Sequence, residues 1–204
     1  IKNPLTAIRA ASEAIELGLR SMPNAEPDLI ACSEAIIRQT DGLKRLVDRL
    51  GHLAQAGEIR KQTADLAALI KETVQNYSAT HPHISFDLHL DAGIPPFAFD
   101  PEQMERVLAN LIDNAISAIE GEGRISITTR LDGNMVRVDV ADDGKGIPQE
   151  FLDRLFEPHF STKRRGTGLG LAIVHRIVAE HGGSVSISPN EPKGTVVSLE
   201  IPVS

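Results

Sequence analysis

Over residues 1–19 and again over 30–53 apolar residues recur at helical spacing, in two long stripes that follow one another. A repeat of that period lines one face of a helix. Ile1, Leu5, Ile8, Ala11, Ile15 and Leu19 make the first stripe, with Pro4 near the start, where proline is tolerated. Residues 21–27 carry two prolines and read as a turn. A second helix is expected from about residue 28 to 55. Its Ile30, Ile36, Ile37, Leu43, Leu46, Val47, Leu50 and Leu53 lie close to heptad spacing. Two helices cannot cover two such stripes between them. A second copy of the hairpin would, as a four-helix bundle; the alternative is that the hairpin packs on its own second domain. The expected organisation is a hairpin dimerisation domain at 1–57 and a second domain at 58–204.

The second domain alternates helix and strand signals. Residues 57–63 read as a short linker that can become a strand. Asp65 caps a helix to about Tyr77. Ile84, Phe86, Leu88 and Leu90 alternate as on a half-buried strand, before a turn at Gly93–Pro96. Asp100, Pro101 and Gln103 form a helix start with the makings of a capping box, and that helix runs to about Ile119. Residues 124–131 and 135–141 pair as a hairpin across Asp132-Gly133-Asn134. After a glycine-punctuated stretch comes a helix from about Leu169 to His181, stopped by Gly182. A last hairpin uses residues 184–188 and 195–202. The fold class expected is α+β: the N-terminal hairpin, then helices on one face of a mostly antiparallel sheet.

Composition narrows the function classes. Hydrophobic residues make up 41% of the 204, enough for a packed core, and with no Trp and one Tyr that core is mostly aliphatic. A net charge of -7 argues against non-specific nucleic-acid binding and contact with anionic membranes. No apolar run reaches the roughly 18 residues that span a bilayer. Cys32 stands alone and is expected to be a small packing residue.

Four stretches carry the chemistry. Asn110 and Asn114 lie one turn apart on one helix and point the same way, so their amide oxygens can hold a hard cation such as Mg²⁺ beside phosphate. Arg106, a turn earlier, is either a phosphate contact or an ordinary surface arginine. Asp142-Asp143-Gly144-Lys145-Gly146 ends a strand on two glycines. The glycines admit a ligand to the backbone, and Asp142 can accept from the exocyclic amine of adenine, while Asp143 faces solvent or the turn. Phe156 and Phe160 bracket a candidate cover. Gly166-Thr167-Gly168-Leu169-Gly170 enters a helix and offers backbone N–H groups to an anion, with Lys163, Arg164 and Arg165 just before it. The spacing fits neither a Walker loop nor a dinucleotide fingerprint, and the acidic turn lacks the ligand pattern of an EF-hand. His159, His175 and His181 are poor nucleophile candidates without an orienting base; His181 at a helix end suits a cation facing the dipole.

In this order and spacing the chain resembles the sensor histidine kinases of two-component signalling. Asn110 to Asn114 is similar to the family's asparagine box. Asp142-x-Gly144-x-Gly146 resembles its first glycine box, Phe156 to Phe160 its phenylalanine box, and Gly166-x-Gly168-x-Gly170 its second glycine box. Gly194-Thr195 resembles a late Gly-Thr pair supporting the adenine pocket. The short lid resembles that of nitrogen-regulation-like kinases.

The resemblance implies a Bergerat-type ATP-binding sandwich with ATP and Mg²⁺ as cofactors. The nucleotide contacts it implies are Asn110, Asn114, Asp142, Gly144, Gly146, Ile147, Phe160, Thr167, Gly168, Leu169, Gly170 and Thr195. Asn114 and Asn110 serve the metal, and Lys163 assists catalysis. Ile1-Lys-Asn-Pro-Leu-Thr-Ala-Ile8 resembles the tail of the phosphoacceptor box, whose His-Glu pair would directly precede Ile1. Asn3 would then orient that histidine and a hydrolytic water. A response-regulator receiver domain, a homodimer and a cytoplasmic location are implied as well. Two other classes stay open: a gyrase- or chaperone-type clamp ATPase, and a nucleotide-binding dimerisation scaffold without catalysis.

Overall fold

The computed structural model describes residues 2–20, 28–29, 31–37, 39–40, 59–148, 150–151, 155 and 169–203. The chain divides into two compact units, Ile1–Gly57 and Glu58–Ser204.

In the first unit, helix α1 spans Lys2–Arg20. A second helix, α2, is described at 28–29, 31–37 and 39–40. Small residues let the two approach: Ser33 Oγ donates to Ser12 O at 2.8 Å, and both serines are buried. Arg20 ties the helices at the surface, with one guanidinium nitrogen on Glu16 and another on Glu34, each at 2.8 Å. The apolar stripe is left outside this contact. Ile8, Ile15, Leu17, Leu29 and Ile36 are 47% to 71% exposed in the single chain. Cys32, expected to pack, is exposed. The reason is angular: Ser33 occupies the α1-facing position, and its neighbour is turned about 100° away. The remainder of the expected second helix, 41–55, lies outside the described residues.

The second unit opens with β1 (Gln62–Ala64), then α3 (Leu66–Thr80), β2 (Ile84–His89), β3 (Phe97–Phe99) and α4 (Pro101–Ala118). There follow β4 (Gly123–Asp132), β5 (Met135–Asp142), α5 (Gly170–Glu180), β6 (Ser184–Pro189) and β7 (Thr195–Pro202). Five strands form one sheet in the order β2-β4-β5-β7-β6. β2 runs parallel to β4, and the other pairs are antiparallel. β1 and β3 form a separate two-stranded ribbon. The β3 strand escapes sequence reading because three residues after a Pro-Pro turn carry too little alternation to register.

The caps work as the residue types dictate. Asp65 Oδ1 accepts from Ala68 N at 3.1 Å, and Asp100 Oδ1 from Gln103 N at 3.1 Å. The core lies between the sheet's inner face and the helices. Ile125 and Ile127 of β4, Val136, Val138 and Val140 of β5, and Leu199 and Ile201 of β7 meet Val107, Leu108, Leu111 and Ile112 of α4 and Val174, Ile177 and Val178 of α5 in one buried set. Period-two alternation along β5 puts Val136, Val138, Val140 and finally Asp142 on the inner face. A carboxylate thus ends an apolar row at the strand's edge. Among the described residues, no helix is long and apolar enough to cross a membrane.

Candidate functional site

The site is organised along α4. Asn110 and Asn114 sit on successive turns, and Ala118 follows on the next. The start of α5 lies against the first two: a Cβ on Gly170 would stand 3.2 Å from Asn110 Oδ1 and 3.6 Å from Asn114 Nδ2. Only a residue without a side chain allows that approach without displacing an amide. The 142–146 turn lies against the third: a Cβ on Gly144 would be 2.7 Å from Ala118 O, and Lys145 N donates to the same carbonyl at 3.0 Å. One helix therefore joins the paired asparagines, the acidic turn and the glycine-led helix start.

The asparagines differ in what holds them. Asn110 Nδ2 donates to Arg106 O at 2.7 Å, which turns its Oδ1 toward Gly170. Arg106 donates its own NH1 to Gln103 Oε1 at 3.1 Å. About a quarter-turn round α4, Tyr77 OH donates to Asp113 Oδ1 at 3.0 Å and lies 3.4 Å from Ala109 O. Burial raises the Tyr77 hydroxyl well above its usual range, and the charge and hydrogen bond of Asp113 and the charge of Glu105 add to this. This brace holds the residues just before Asn110 and Asn114. Sequence reading missed it, since a lone tyrosine late in a helix carries no motif.

Asp142 is buried, and its Oδ1 accepts from Gly144 N at 2.9 Å. Asp143 turns the other way and holds the loop to β4, its Oδ1 accepting from Arg124 N at 3.0 Å. Across the sheet, Asp142 pairs with Thr195, which is also buried. Gly194, at φ +113°, passes so close that a Cβ there would collide with the Asp142 carbonyl. Gly146, at φ +71°, packs on Gly194 O. Asn190 Nδ2 donates to Asp142 O at 2.8 Å, a support that sequence reading also missed. Ile147 is half-buried beside this turn.

Leu169 is fully buried and leads into α5, whose first turn has no side-chain cap among the described residues. The first N–H groups of a helix lack intrahelical partners, so this end offers donors to an anion. Lys163, Phe160, Thr167 and Gly168 lie outside the described residues, as do the rest of the 156–168 stretch and its candidate cover. Asn3 is in α1, but its side chain is likewise outside them.

Two sequence expectations are corrected here. Gln103 does not close a capping box, because its side chain meets Arg106 and the Asp100 N–H donates instead to His181 Nε2 at 3.0 Å. His181 is not a cation facing the helix dipole. It is 1% exposed and accepts that hydrogen bond through Nε2, with Nδ1 2.8 Å from Ile177 O. A ring that accepts from an N–H is neutral.

A family model described as histidine kinase-, DNA gyrase B- and HSP90-like ATPase matches residues 99–204, from the end of β3 through the last strand. The chain belongs to that ATPase family. Its likeness to sensor histidine kinases extends further, into the hairpin unit. Sensor histidine kinase ZraS of Escherichia coli (strain K12) is 36% identical over all of this chain and 43% of its own length. Full-length ShkA, solved in complex with AMPPNP, matches all of this chain and 44% of its own, with a TM-score of 0.79 and 26% identity. Histidine kinase ThkA, solved in complex with the response regulator protein TrrA, matches 99% of this chain and 59% of its own, with a TM-score of 0.74 and 25% identity. The chain spans under half the length of the curated relatives it matches. Its second unit is a catalytic ATP-binding domain of the histidine-kinase type, and the α/β sandwich is the architecture expected for it.

Proposed function

We propose that this chain is the kinase core of a two-component sensor histidine kinase, working in the cytoplasm. It binds Mg-ATP on the edge formed by α4, the 142–146 turn and the start of α5. It directs the γ-phosphoryl group to a histidine, which the resemblance puts directly before Ile1, and from there to an aspartate of a response-regulator receiver domain. It also removes phosphate from that partner.

The observation that carries this reading is the convergence on one helix of Asn110 and Asn114 against Gly170, with Gly144 leaning on Ala118 a turn further on. Phosphoryl transfer asks mainly for positioning and charge neutralisation, and this edge has groups for both. Asp142 selects adenine, with Gly144, Gly146, Ile147 and Thr195 shaping the base pocket around it. Leu169 and Gly170 aim the first α5 N–H groups at the phosphates. The resemblance assigns Thr167 and Gly168 to the phosphates as well, Lys163 to catalysis and Phe160 to the cover. Asn3 orients the acceptor histidine and a hydrolytic water.

Magnesium fits the amide pair. A hard divalent cation takes oxygen ligands, and Asn110 keeps Oδ1 on the Gly170 side because its Nδ2 is held by Arg106. Asn114, with Asn110 assisting, would hold the ion, which supplies charge neutralisation at the phosphates. Homodimerisation is supported by the exposed Ile8 and Ile15 on α1 and Leu29 and Ile36 on α2, each pair seven residues apart.

The test is incubation of a chain extended upstream through the histidine with γ-labelled ATP. The expected product is magnesium-dependent, acid-labile protein label, lost by at least about a hundredfold in Asn114→Ala on the scale of removing one charge-stabilising group. Steady hydrolysis that persists without the histidine would point instead to a clamp ATPase.

A further inference from the structure

His181 joins two helices. In a capping box the Asp100 N–H would donate to the side chain of Gln103, but here Gln103 Oε1 accepts from Arg106. The Asp100 N–H donates instead across 81 positions of sequence to His181 Nε2 at 3.0 Å. The other ring nitrogen meets Ile177 O in the last turn of α5 at 2.8 Å. The direction of these bonds is settled by chemistry. A backbone N–H only donates and a carbonyl only accepts, so Nε2 is bare and Nδ1 carries the proton. At 1% exposure, no water competes for either bond.

The link sits at the far end of an antiparallel pair. α4 runs from Asp100 to its asparagines over ten residues, about 15 Å, and α5 runs back over eleven from Gly170 to His181, about 16 Å. Fixing Asp100 to His181 therefore fixes the lengthwise register of the two helices. At the other end that register sets how Gly170 meets Asn110 Oδ1 at the spacing a Cβ would fill. Asp100 extends the chain of bonds once more: its Oδ2 accepts from Arg60 N at 2.9 Å, where the polypeptide enters this unit. One residue thus holds the incoming segment, the asparagine helix and, through the imidazole, the glycine-led helix.

We infer that His181 is a positioning residue for the nucleotide edge, acting through Asp100 to set the register between α4 and α5. The inference rests on the reading of that edge as the nucleotide site. His181 touches neither nucleotide nor metal; its effect reaches them through two helices.

The test separates this role from simple core filling. His181→Asn keeps a donor near the Nδ1 position for Ile177 O but loses the reach to Asp100. His181→Gln places an acceptor near the Nε2 position and can restore that reach. We expect Asn to weaken Mg-ATP binding about tenfold, as a shift in a binding constellation does, and Gln to recover it to within about twofold, measured by calorimetric titration at a temperature where both variants are folded. Equal affinity of folded His181→Asn and wild type, or equal loss in both variants, would overturn the inference. Long-range nitrogen–proton NMR of the wild-type ring supplies a check that needs no variant: an Nδ1-protonated ring with bare Nε2 supports the inference, and an Nε2-protonated ring overturns it. Failure of the wild type to bind Mg-ATP is a different result, which overturns the nucleotide reading and this inference with it.

Discussion

Asp142, proposed above to select adenine, shows how little chain is needed to place a buried carboxylate and how much to hold it. Alternation along β5 turns it inward, and Gly144, Gly194 and Asn190 then hold its carboxylate and carbonyl. Asp142→Asn keeps the volume and removes the charge. ATP affinity should fall about tenfold or more, since a hydrogen bond to a charged group contributes about 1.5–3 kcal/mol. Titration of both proteins measures this, and equal affinity would remove the adenine role. Tyr77 offers a test of the brace behind Asn110 and Asn114. Burial, then Asp113 and Glu105, raise its hydroxyl above the ordinary value of 10.0. The folded state therefore favours the neutral phenol. Its contribution is fully present below about pH 10 and is lost as pH rises above that through the folded value. Tyr77→Phe should lower Tm at pH 8, through loss of the Asp113 bond, and show a shallower further fall by pH 11 than wild type.

At the scale of elements, α4 and α5 meet at a glycine for a reason that a substitution can expose. Gly170 is in ordinary helical backbone, so alanine there costs no strain and raises helix propensity by up to about 1 kcal/mol. Its methyl group would press on Asn110 Oδ1 at 3.2 Å and force the amide to shift. Gly170→Ala should thus lose nucleotide affinity while Tm stays level or rises. Parallel thermal melts and titrations would show the split; a fall in both would mean that the helix packing itself had failed. Much at this scale was legible in the chain. Asp65 and Asp100 cap as their positions before apolar-periodic segments require, and the Gly133-Asn134 turn joins β4 to β5. Of the β1–β3 ribbon only β1 was foreshadowed, as a linker able to become a strand; β3 was not, because each strand is three residues long and is specified by pairing across 32 intervening positions, not by pattern.

For the whole molecule, the two units pose different problems of burial. The ATP-binding unit closes its own core, with Val107, Ile112, Ile125, Ile127, Val136 and Val174 fully enclosed. The hairpin does not, and its Ile8, Ile15, Leu29 and Ile36 face outward. Such a surface in water calls for a partner, and a second copy offers the matching stripe. Ile15→Glu combined with Ile36→Glu should convert a dimer into a monomer in sedimentation velocity, with Mg-ATP affinity within about twofold, because each ATP site is built from one second unit. A wild-type monomer at concentrations of tens of micromolar would overturn the bundle reading.

Periodicity, capping residues and the order of the asparagine and glycine stretches are local properties, and they carried the helices, most strands and the family likeness from the chain alone. The same stretches named Asn110, Asn114, Asp142 and Gly170 as candidates. Folding supplied the relations among distant residues: that Gly170 lies on the asparagines, that His181 and not Gln103 takes the Asp100 N–H, that Tyr77 and Asn190 brace the edge, and that Cys32 turns outward. All but the last are contacts between groups up to 81 positions apart. No local pattern encodes such a contact, because it depends on how whole elements pack once their apolar faces are buried.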